Sequence, residues 1–521
     1  MLLAVPDVNI SSNLLAAFIL AKISRKRGRG GRDPGLKTEV ADINARRRGL
    51  GAGGVLLLAV LFAVTRAGVV SYYESIGFFY YYGMVSNQYA IAEAAFNGHF
   101  NSEDFGLKKA VREVAFERGR PTPIEEWKNY PKTGKYTTFP AQDLPGYGYI
   151  IAYTSRWFGG ELTTKYAYAV QLAAEFAAMM SLAACAGAML GGRAALRFGI
   201  FYIFLFPFIW PLAFQPMRDI FNFAVSSFGV AAFFVYSRGK GNGSLLGAAA
   251  LLVVSSLLLW VAPRCYYFIF LLAPAAFFSA NKALASKAAF AALCVAVPLA
   301  VFGVPYRSFN VAHYGTQDTA TIGRGLWEGM GIAGENKYGF KLDDSAMLPF
   351  LKELGHENVS YGSPEMNRLL GEHAIGVIKE DPGFYLKTIL VRSIRMARNP
   401  LPMFYQQRNP RSESGLSRSE YIMRNPVDAA MGVAQNAWAL AVFHLGLIFS
   451  AAMVFAMRER RAEAAVFALP VYYLLATTLP LHFEARYMAA GAPALIAPLL
   501  WGAATALGKL KRAKRESGES S

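Results

Sequence analysis

Apolar residues in this chain are gathered in continuous runs of about 17–25 residues, the length that an α-helix needs to cross a bilayer. The runs lack the period of two residues that a barrel strand shows, and only helices and closed barrels satisfy every backbone amide in lipid. The pattern therefore predicts an all-α polytopic membrane protein with about ten transmembrane helices. The expected spans are residues 50–72, 166–190, 194–214, 219–237, 244–262, 265–281, 284–304, 435–457, 462–480 and 487–507.

Two long polar segments interrupt the apolar runs, at residues 71–165 and 305–434. In the second segment, apolar residues recur at helical spacing after Pro364, and another helix is expected from Phe384 to Ala397. We therefore expect two large loops with amphipathic helices on the outer side of the membrane.

Positive charge marks the opposite side of the membrane. The chain has 53 Lys and Arg against 35 Asp and Glu, a formal net charge of +18. With the N-terminus in the cytoplasm, every cytoplasmic connection is basic, as the positive-inside rule requires. Since topology accounts for this charge, nucleic-acid binding is not expected. The basic positions are Arg193, Arg197, Arg238, Lys240, Lys282, Lys287, Arg458, Arg460, Arg461, Lys509, Lys511, Arg512, Lys514 and Arg515.

Span count and charge together predict the organisation of the chain, with both termini cytoplasmic. The expected parts are a basic arm at 1–49, a transmembrane module at 50–304 that includes the first outer loop, a second outer loop at 305–434, C-terminal transmembrane helices at 435–507 and a basic tail at 508–521.

Cysteine and histidine give no metal or disulfide pattern. The three cysteines lie in or beside apolar segments without a CxxC spacing, and no HExxH motif is present. Asp343 and Asp344 form a candidate site for a divalent ion, and a solvated turn is the alternative.

Three short polar motifs stand at the ends of predicted spans. They are Gln88–Phe100 after the first span, Asp143–Tyr149 before the second, and His482–Tyr487 before the last. Their order, together with the loop lengths, resembles the GT-C glycosyltransferases, in particular the bacterial members related to protein O-mannosyltransferases and lipid A aminoarabinose transferases. The resemblance extends over residues 50–505.

The resemblance implies a fold and an activity. Such enzymes move a sugar from a polyprenyl-phosphate carrier to a glycan, lipid or protein acceptor, with inversion, at the outer face of the membrane. The implied location is the bacterial inner membrane, with the active site in the periplasm. A divalent metal is left open, and no other cofactor is implied. The implied substrate-binding residues include Tyr89 in the first motif and Tyr147 in the second.

The catalytic base is the point where the chain departs from the family. Inverting transfer needs a carboxylate to deprotonate the acceptor, and the family places it in the first outer loop. No acid stands at Met84–Asn87, where the resemblance would put it. Glu74 is the nearest alternative, followed by Glu103, Asp104 and Asp143.

Other polar residues are expected at the outer ends of spans. Asp219 is a further candidate acid, and its neighbour Arg218 offers either a substrate contact or a simple ion pair. Arg264 lies in the short turn between the fifth and sixth spans. There it could reach a carrier phosphate or extend to lipid headgroups.

The last outer turn contains His482, Glu484, Arg486 and Tyr487. The resemblance implies that Arg486 binds the carrier phosphate. His482 is either an acid–base group or an interfacial histidine. Glu175 lies inside the second span, where it is either a functional acid or a structural one that bonds a neighbouring helix or is protonated; we expect the structural role.

Two other functional classes are left open by the sequence. A transporter or lipid flippase is the first, although the paired halves usual in transporters are not recognisable. A catalytically inactive family member is the second, because the expected acid before Tyr89 is absent.

Overall fold

The structure is a computed structural model of the 521-residue chain. It describes residues 50–75, 92, 95–96, 146–160, 162, 166–205, 218–239, 242–278, 282–314, 321–359, 361–400, 417–424, 426–457, 460–484, 487–488 and 490–516. The predicted arm at 1–49 lies outside these residues. The described residues form helices and turns and contain no β-strand, which confirms the all-α prediction.

Helices follow one another along the described chain. They are α1 (Ala52–Ser75), α2 (Gly146–Phe158), α3 (Ala167–Leu190), α4 (Gly192–Leu205), α5 (Asp219–Arg238), α6 (Asn242–Leu258), α7 (Tyr266–Phe277), α8 (Leu284–Pro298), α9 (Val304–Tyr314), α10 (Ile322–Met330), α11 (Met347–Glu353), α12 (Pro364–Glu380), α13 (Pro382–Arg398), α14 (Arg418–Arg424), α15 (Pro426–Ala456), α16 (Arg461–Thr478) and α17 (Ile496–Glu516).

Among the described residues, six helical segments are long and apolar enough to cross a membrane: Ala52–Val69, Ala167–Leu190, Asp219–Arg238, Leu284–Ala312, Gly432–Ala456 and Ala492–Leu510. The chain therefore has the character of an integral membrane protein. The other four expected spans coincide with α4, α6, α7 and α16, which are shorter or less apolar. A total of ten spans stays a prediction.

α5 is the centre of the helix bundle. Almost all of its side chains are buried, and it packs against α3, α6, α7 and α16. Aromatic rings fill the interfaces: Phe234 meets Phe467 edge-on, and Tyr236 stacks on Phe290 with ring centroids 4.2 Å apart. Such pairs add about 0.5–1.5 kcal/mol beyond their buried area.

A second, smaller core lies in the segment between α9 and α14. Trp327 of α10 is fully buried among Phe340, Met347 and Met366. Ser363 caps α12 by accepting from Met366 N, and Asp381 caps α13 by accepting from Phe384 N. The two helices expected after Pro364 are both present.

Gly146, in the second sequence motif, is a point of close contact between two helices. Its backbone lies against the carbonyl of Trp260, and the structure has no room for a side chain there. Gly146 and Tyr147 open the helix α2. The close approach brings α2 beside the end of α6.

Candidate functional site

The candidate site is built where α10 packs against the segment that follows α16. Gly329 of α10 lies directly against the carbonyl of Leu481 and the guanidinium of Arg392, so any side chain at this position would displace them. This contact brings Glu328, the preceding residue, towards His482.

Arg392 of α13 holds the segment in place from the other side. Its side chain is fully buried; Nη1 donates to the carbonyl of Leu481 at 2.7 Å and Nη2 to Oγ1 of Thr388 at 3.0 Å. Burial lowers the pKa of Arg392 to about 10, so it remains a cation at neutral pH. The backbone next to His482 is thereby fixed by a charge-assisted hydrogen bond.

His482 links two carboxylates. Its Nε2 lies 3.2 Å from Oε1 of Glu484 and 3.7 Å from Oε1 of Glu328. The ring is 9% exposed, and its buried Nδ1 has no hydrogen-bond partner within the described part of the chain. The imidazole therefore lies between two acids, with one nitrogen facing both.

Glu328 has a strongly raised pKa. Its side chain is 15% exposed, and this burial raises the pKa to about 7. Asp344 raises the pKa further by its negative charge, while His482 and Arg324 act in the opposite direction. A carboxyl group of this pKa exchanges its proton near neutral pH, as an acid–base catalyst must.

Arg324 lies one helical turn before Glu328 on α10. Its guanidinium forms an ion pair with Asp344 and lies 5.3 Å from the ring centre of Tyr361. Tyr361 donates to Asp344 at 3.1 Å. Asp343, the other candidate for ion binding, accepts from Ser345 N at 2.9 Å and caps the short helix there.

Tyr487 and Arg264 extend the site towards the helix bundle. Tyr487 donates to Glu484 at 2.9 Å, and the Arg264 guanidinium stacks 3.2 Å above the centre of the Tyr487 ring. Tyr473 of α16 donates to the carbonyl of Arg264 at 2.8 Å. We call the whole group the Glu328–His482 cluster; its members are Arg264, Arg324, Glu328, Asp344, Tyr361, His482, Glu484 and Tyr487.

Asp219 opens α5 close to the turn that bears Arg264. It is 4% exposed, and its Oδ2 lacks a hydrogen-bond partner among the described residues. The Sγ of Cys265 donates to the carbonyl of Asn222 at 3.5 Å, which packs the turn on the first helical turn of α5. Arg218, the residue before α5, has its own polar interactions.

Tyr147 lies in the first turn of α2 and is fully buried against the neighbouring helices. Its hydroxyl donates to Oε1 of Gln171 at 2.5 Å, and its ring meets Phe221 edge-on. Tyr147 thus packs α2 on α3 and α5, and its expected substrate contact stays a prediction.

Several predicted site residues lie outside the description. Glu74 belongs to the last turn of α1, but its side chain is not among those described. The others outside the described residues are Tyr89, Glu103, Asp104, Asp143 and Arg486.

A separate buried ion pair lies inside the helix bundle. Nη2 of Arg66 is 2.5 Å from Oε1 of Glu175, and the Tyr202 hydroxyl donates to the same oxygen at 2.9 Å. The pair joins α1, α3 and α4. Glu175 accordingly bonds neighbouring helices, in agreement with the structural interpretation of its sequence position.

Candidate metal ligands and thiols are dispersed in the described part of the chain. The described residues contain no group of three His, Cys, Asp or Glu side chains arranged to hold a metal ion. Cys185, Cys265 and Cys294 are free and buried.

Sequence reasoning missed Arg324, Glu328 and Tyr361. The available signal was an arginine and a glutamate four residues apart on a short amphipathic helix, a spacing that places both on one face. Surface helices show this spacing often, so it did not distinguish α10. Among the arginines of α13, Arg392 is buried whereas Arg395 and Arg398 are exposed.

Comparison of the chain with protein-family models, curated proteins and solved structures finds no match.

Proposed function

We propose that this chain is a membrane glycosyltransferase that transfers a sugar from a polyprenyl-phosphate carrier to an acceptor hydroxyl with inversion. The observation that supports it most is the Glu328–His482 cluster. It combines a carboxyl group that titrates near neutral pH with a histidine and two arginines. An inverting transfer from a lipid phosphate needs a base for the acceptor and cations for the departing phosphate.

In the proposed reaction, the acceptor oxygen forms a bond to the anomeric carbon of the sugar. The bond from that carbon to the phosphate oxygen breaks, and its electron pair stays on the phosphate. The proton of the acceptor passes to a carboxylate, for which Glu328 is suited by its pKa of about 7. The carrier leaves as polyprenyl phosphate, whose added charge Arg264 and Arg324 would stabilise.

Arg264 is the better placed of the two cations for the carrier. It lies in the turn between α6 and α7, both apolar helices, and a lipid-linked phosphate approaches from the membrane. Arg324 is already ion-paired with Asp344. We therefore propose that Arg264 binds the phosphate and that Arg324 sets the charge around Glu328.

Membranes that contain the protein should transfer radiolabel from polyprenyl-phosphate sugars, and Glu328→Gln should lower the rate about 10²–10⁴-fold, the usual contribution of a general base. Glu372→Gln is the matched control, because Glu372 is an exposed acid on α12, where its partner is Arg368. Its rate should equal that of the wild type.

The alternative bases are separated by the same assay. Loss of transfer in Glu74→Gln with full transfer in Glu328→Gln would move the base to the end of α1. The same comparison applies to Glu103, Asp104, Asp143 and Asp219. A wild-type protein that transfers from none of the donors would contradict the proposal and favour a transporter, a flippase or an inactive family member.

A further inference from the structure

One face of α13 is apolar and uncovered. Leu386, Leu390 and Ile394 follow one another at every fourth position and are 63%, 60% and 43% exposed. Residues four apart lie on the same side of a helix, so the three side chains form one stripe. Burying such a side chain stabilises a protein by about 1.5–3 kcal/mol, and a stripe of three therefore favours an apolar neighbour.

The opposite face of α13 is fastened to the protein. Thr388, Arg392 and Met396 are buried, and Arg392 donates to the carbonyl of Leu481. The Tyr385 hydroxyl donates to the carbonyl of Pro480 at 3.0 Å. These contacts determine the rotation of the helix about its axis, so the direction of the exposed stripe is set.

Positive charge lies beside the stripe. Lys387, Arg395 and Arg398 are exposed, and at roughly 100° per residue they occupy the sector between the stripe and the buried face. No acidic residue occurs from Pro382 to Arg398. An apolar stripe next to a basic sector is the pattern of helices that lie in the plane of a membrane interface.

The end of α13 touches a membrane-spanning helix. Nε2 of His444 lies 3.0 Å from the carbonyl of Ala397, and His444 belongs to the apolar span Gly432–Ala456 of α15. The end of α13 therefore lies beside a helix that is long and apolar enough to cross the membrane.

We propose that α13 is an interfacial helix that docks on the bilayer. Leu386, Leu390 and Ile394 insert between acyl chains of one leaflet, while Lys387, Arg395 and Arg398 contact the phosphates of anionic lipids. A second copy of the chain is a poorer partner for this face. In a symmetric contact between two such stripes, the adjacent basic sectors would meet charges of the same sign.

The interfacial helix would also anchor the candidate site. Arg392 lies on its buried face and holds the backbone beside His482. Lipid contact on one face of α13 would thus stabilise the position of the Glu328–His482 cluster on the other, whatever reaction the cluster performs.

The proposal can be tested with the full chain in vesicles of phosphatidylcholine and phosphatidylglycerol. Single nitroxide labels are attached through Leu386→Cys, Leu390→Cys and Ile394→Cys, with Lys387→Cys and Arg395→Cys as controls on the same helix. The native thiols are buried, and wild type treated with the label checks that they stay unmodified. Stripe labels should lie about 5–10 Å below the headgroups and collide with oxygen rather than with a water-soluble nickel chelate. Control labels should show the reverse preference.

Two outcomes would overturn the proposal. Stripe labels that collide with the nickel chelate as often as the control labels would place the stripe in water. Stripe labels protected from both reagents would show that protein covers it, and a change with protein concentration would identify a second copy.

The basic sector is tested by lipid composition. The depth of the label at position 390 should increase when phosphatidylglycerol replaces part of the phosphatidylcholine. A variant that combines Lys387→Gln, Arg395→Gln and Arg398→Gln should lose this response. If the label at position 390 lies at the same depth whatever the phosphatidylglycerol content, with all three basic residues present, the contact with anionic headgroups is excluded.

Discussion

Two groups of glutamate, arginine and tyrosine contrast within this protein. In the bundle, the side chains of Arg66 and Glu175 are 2% and 0% exposed, and Tyr202 bonds the same carboxylate. In the Glu328–His482 cluster, the side chains of Glu328 and Glu484 are 15% and 35% exposed. The residue types are alike, but their surroundings differ.

The difference separates a matched ion pair from a carboxyl group that titrates near neutral pH. Glu175 has one cation in contact and a hydroxyl on the same oxygen, so its charge is matched inside the apolar bundle. Glu328 stands near Asp344 as well as His482, and burial favours its protonated form. A carboxylate paired with a buried arginine joins helices, whereas one that titrates near neutral pH is available for proton transfer.

The largest predicted effect concerns the buried pair. Glu175→Ala should lower the free energy of unfolding by about 3–5 kcal/mol, because Arg66 would keep a buried charge without its partner. Unfolding in mixed micelles measures the change. The double replacement Arg66→Met with Glu175→Leu should recover most of it, since both charges are then gone.

The exposed pair Arg368–Glu372 on α12 is the control for this prediction. Both side chains are more than half exposed, and Glu372→Ala should cost at most about 0.5 kcal/mol. Equal losses of stability in Glu175→Ala and Glu372→Ala would contradict the importance of burial for the Arg66–Glu175 pair.

The second prediction tests how the candidate site is assembled. Gly329→Ala should destabilise the protein by about 3 kcal/mol, because the new methyl group would push apart α10, Leu481 and Arg392. It should also separate Glu328 from His482 and lower the activity. Unfolding and transfer assays on the same preparation measure both effects.

Gly325→Ala on the same helix is the matched control. A methyl group there meets no atom within 4 Å, so the higher helix propensity of alanine should stabilise the protein by about 0.5–1 kcal/mol. A similar loss of stability in Gly325→Ala and Gly329→Ala would indicate that α10 tolerates no substitution. The contact with Leu481 would then not explain the effect at Gly329.

The third prediction concerns pH and the raised pKa of Glu328. An acid whose pKa rises from 4.5 to about 7 on folding binds more protons in the folded than in the unfolded state between these values. The free energy of unfolding should therefore fall by about 2 kcal/mol as pH rises from 5 to 8; this figure includes a reduction for solvent screening of the carboxyl group. Glu328→Gln should remove this part of the pH dependence. An unchanged profile in the variant would refute the raised pKa.

The smallest predicted effect compares one hydroxyl in each region. Tyr202→Phe should cost about 1–1.5 kcal/mol, because a buried bond to Glu175 is lost. Tyr487→Phe should cost about 0.5 kcal/mol, since water can reach Glu484 in its place. Equal costs would show that the cluster is closed to water to the same degree as the bundle.

Part of the candidate site could be predicted from the sequence. His482, Glu484 and Tyr487 are neighbours in the chain at the end of an apolar run, so the local pattern and the family resemblance together singled them out. Arg264 was found in the same way, in a short turn between two apolar runs. Glu328 was not found, because it lies more than 150 residues before His482 and nothing in its local sequence indicates the contact.

Sequence by itself determined the helical class, the location of the apolar helices and the two helices after Pro364. These features depend on local periodicity and on the requirement that backbone amides be satisfied in lipid. Only the tertiary structure decided that Glu175 pairs with Arg66, that Tyr147 is buried and that Glu328 lies beside His482. Burial and charge pairing depend on which distant segments come together, and the pKa of a carboxylate follows from that environment rather than from its neighbours in the chain.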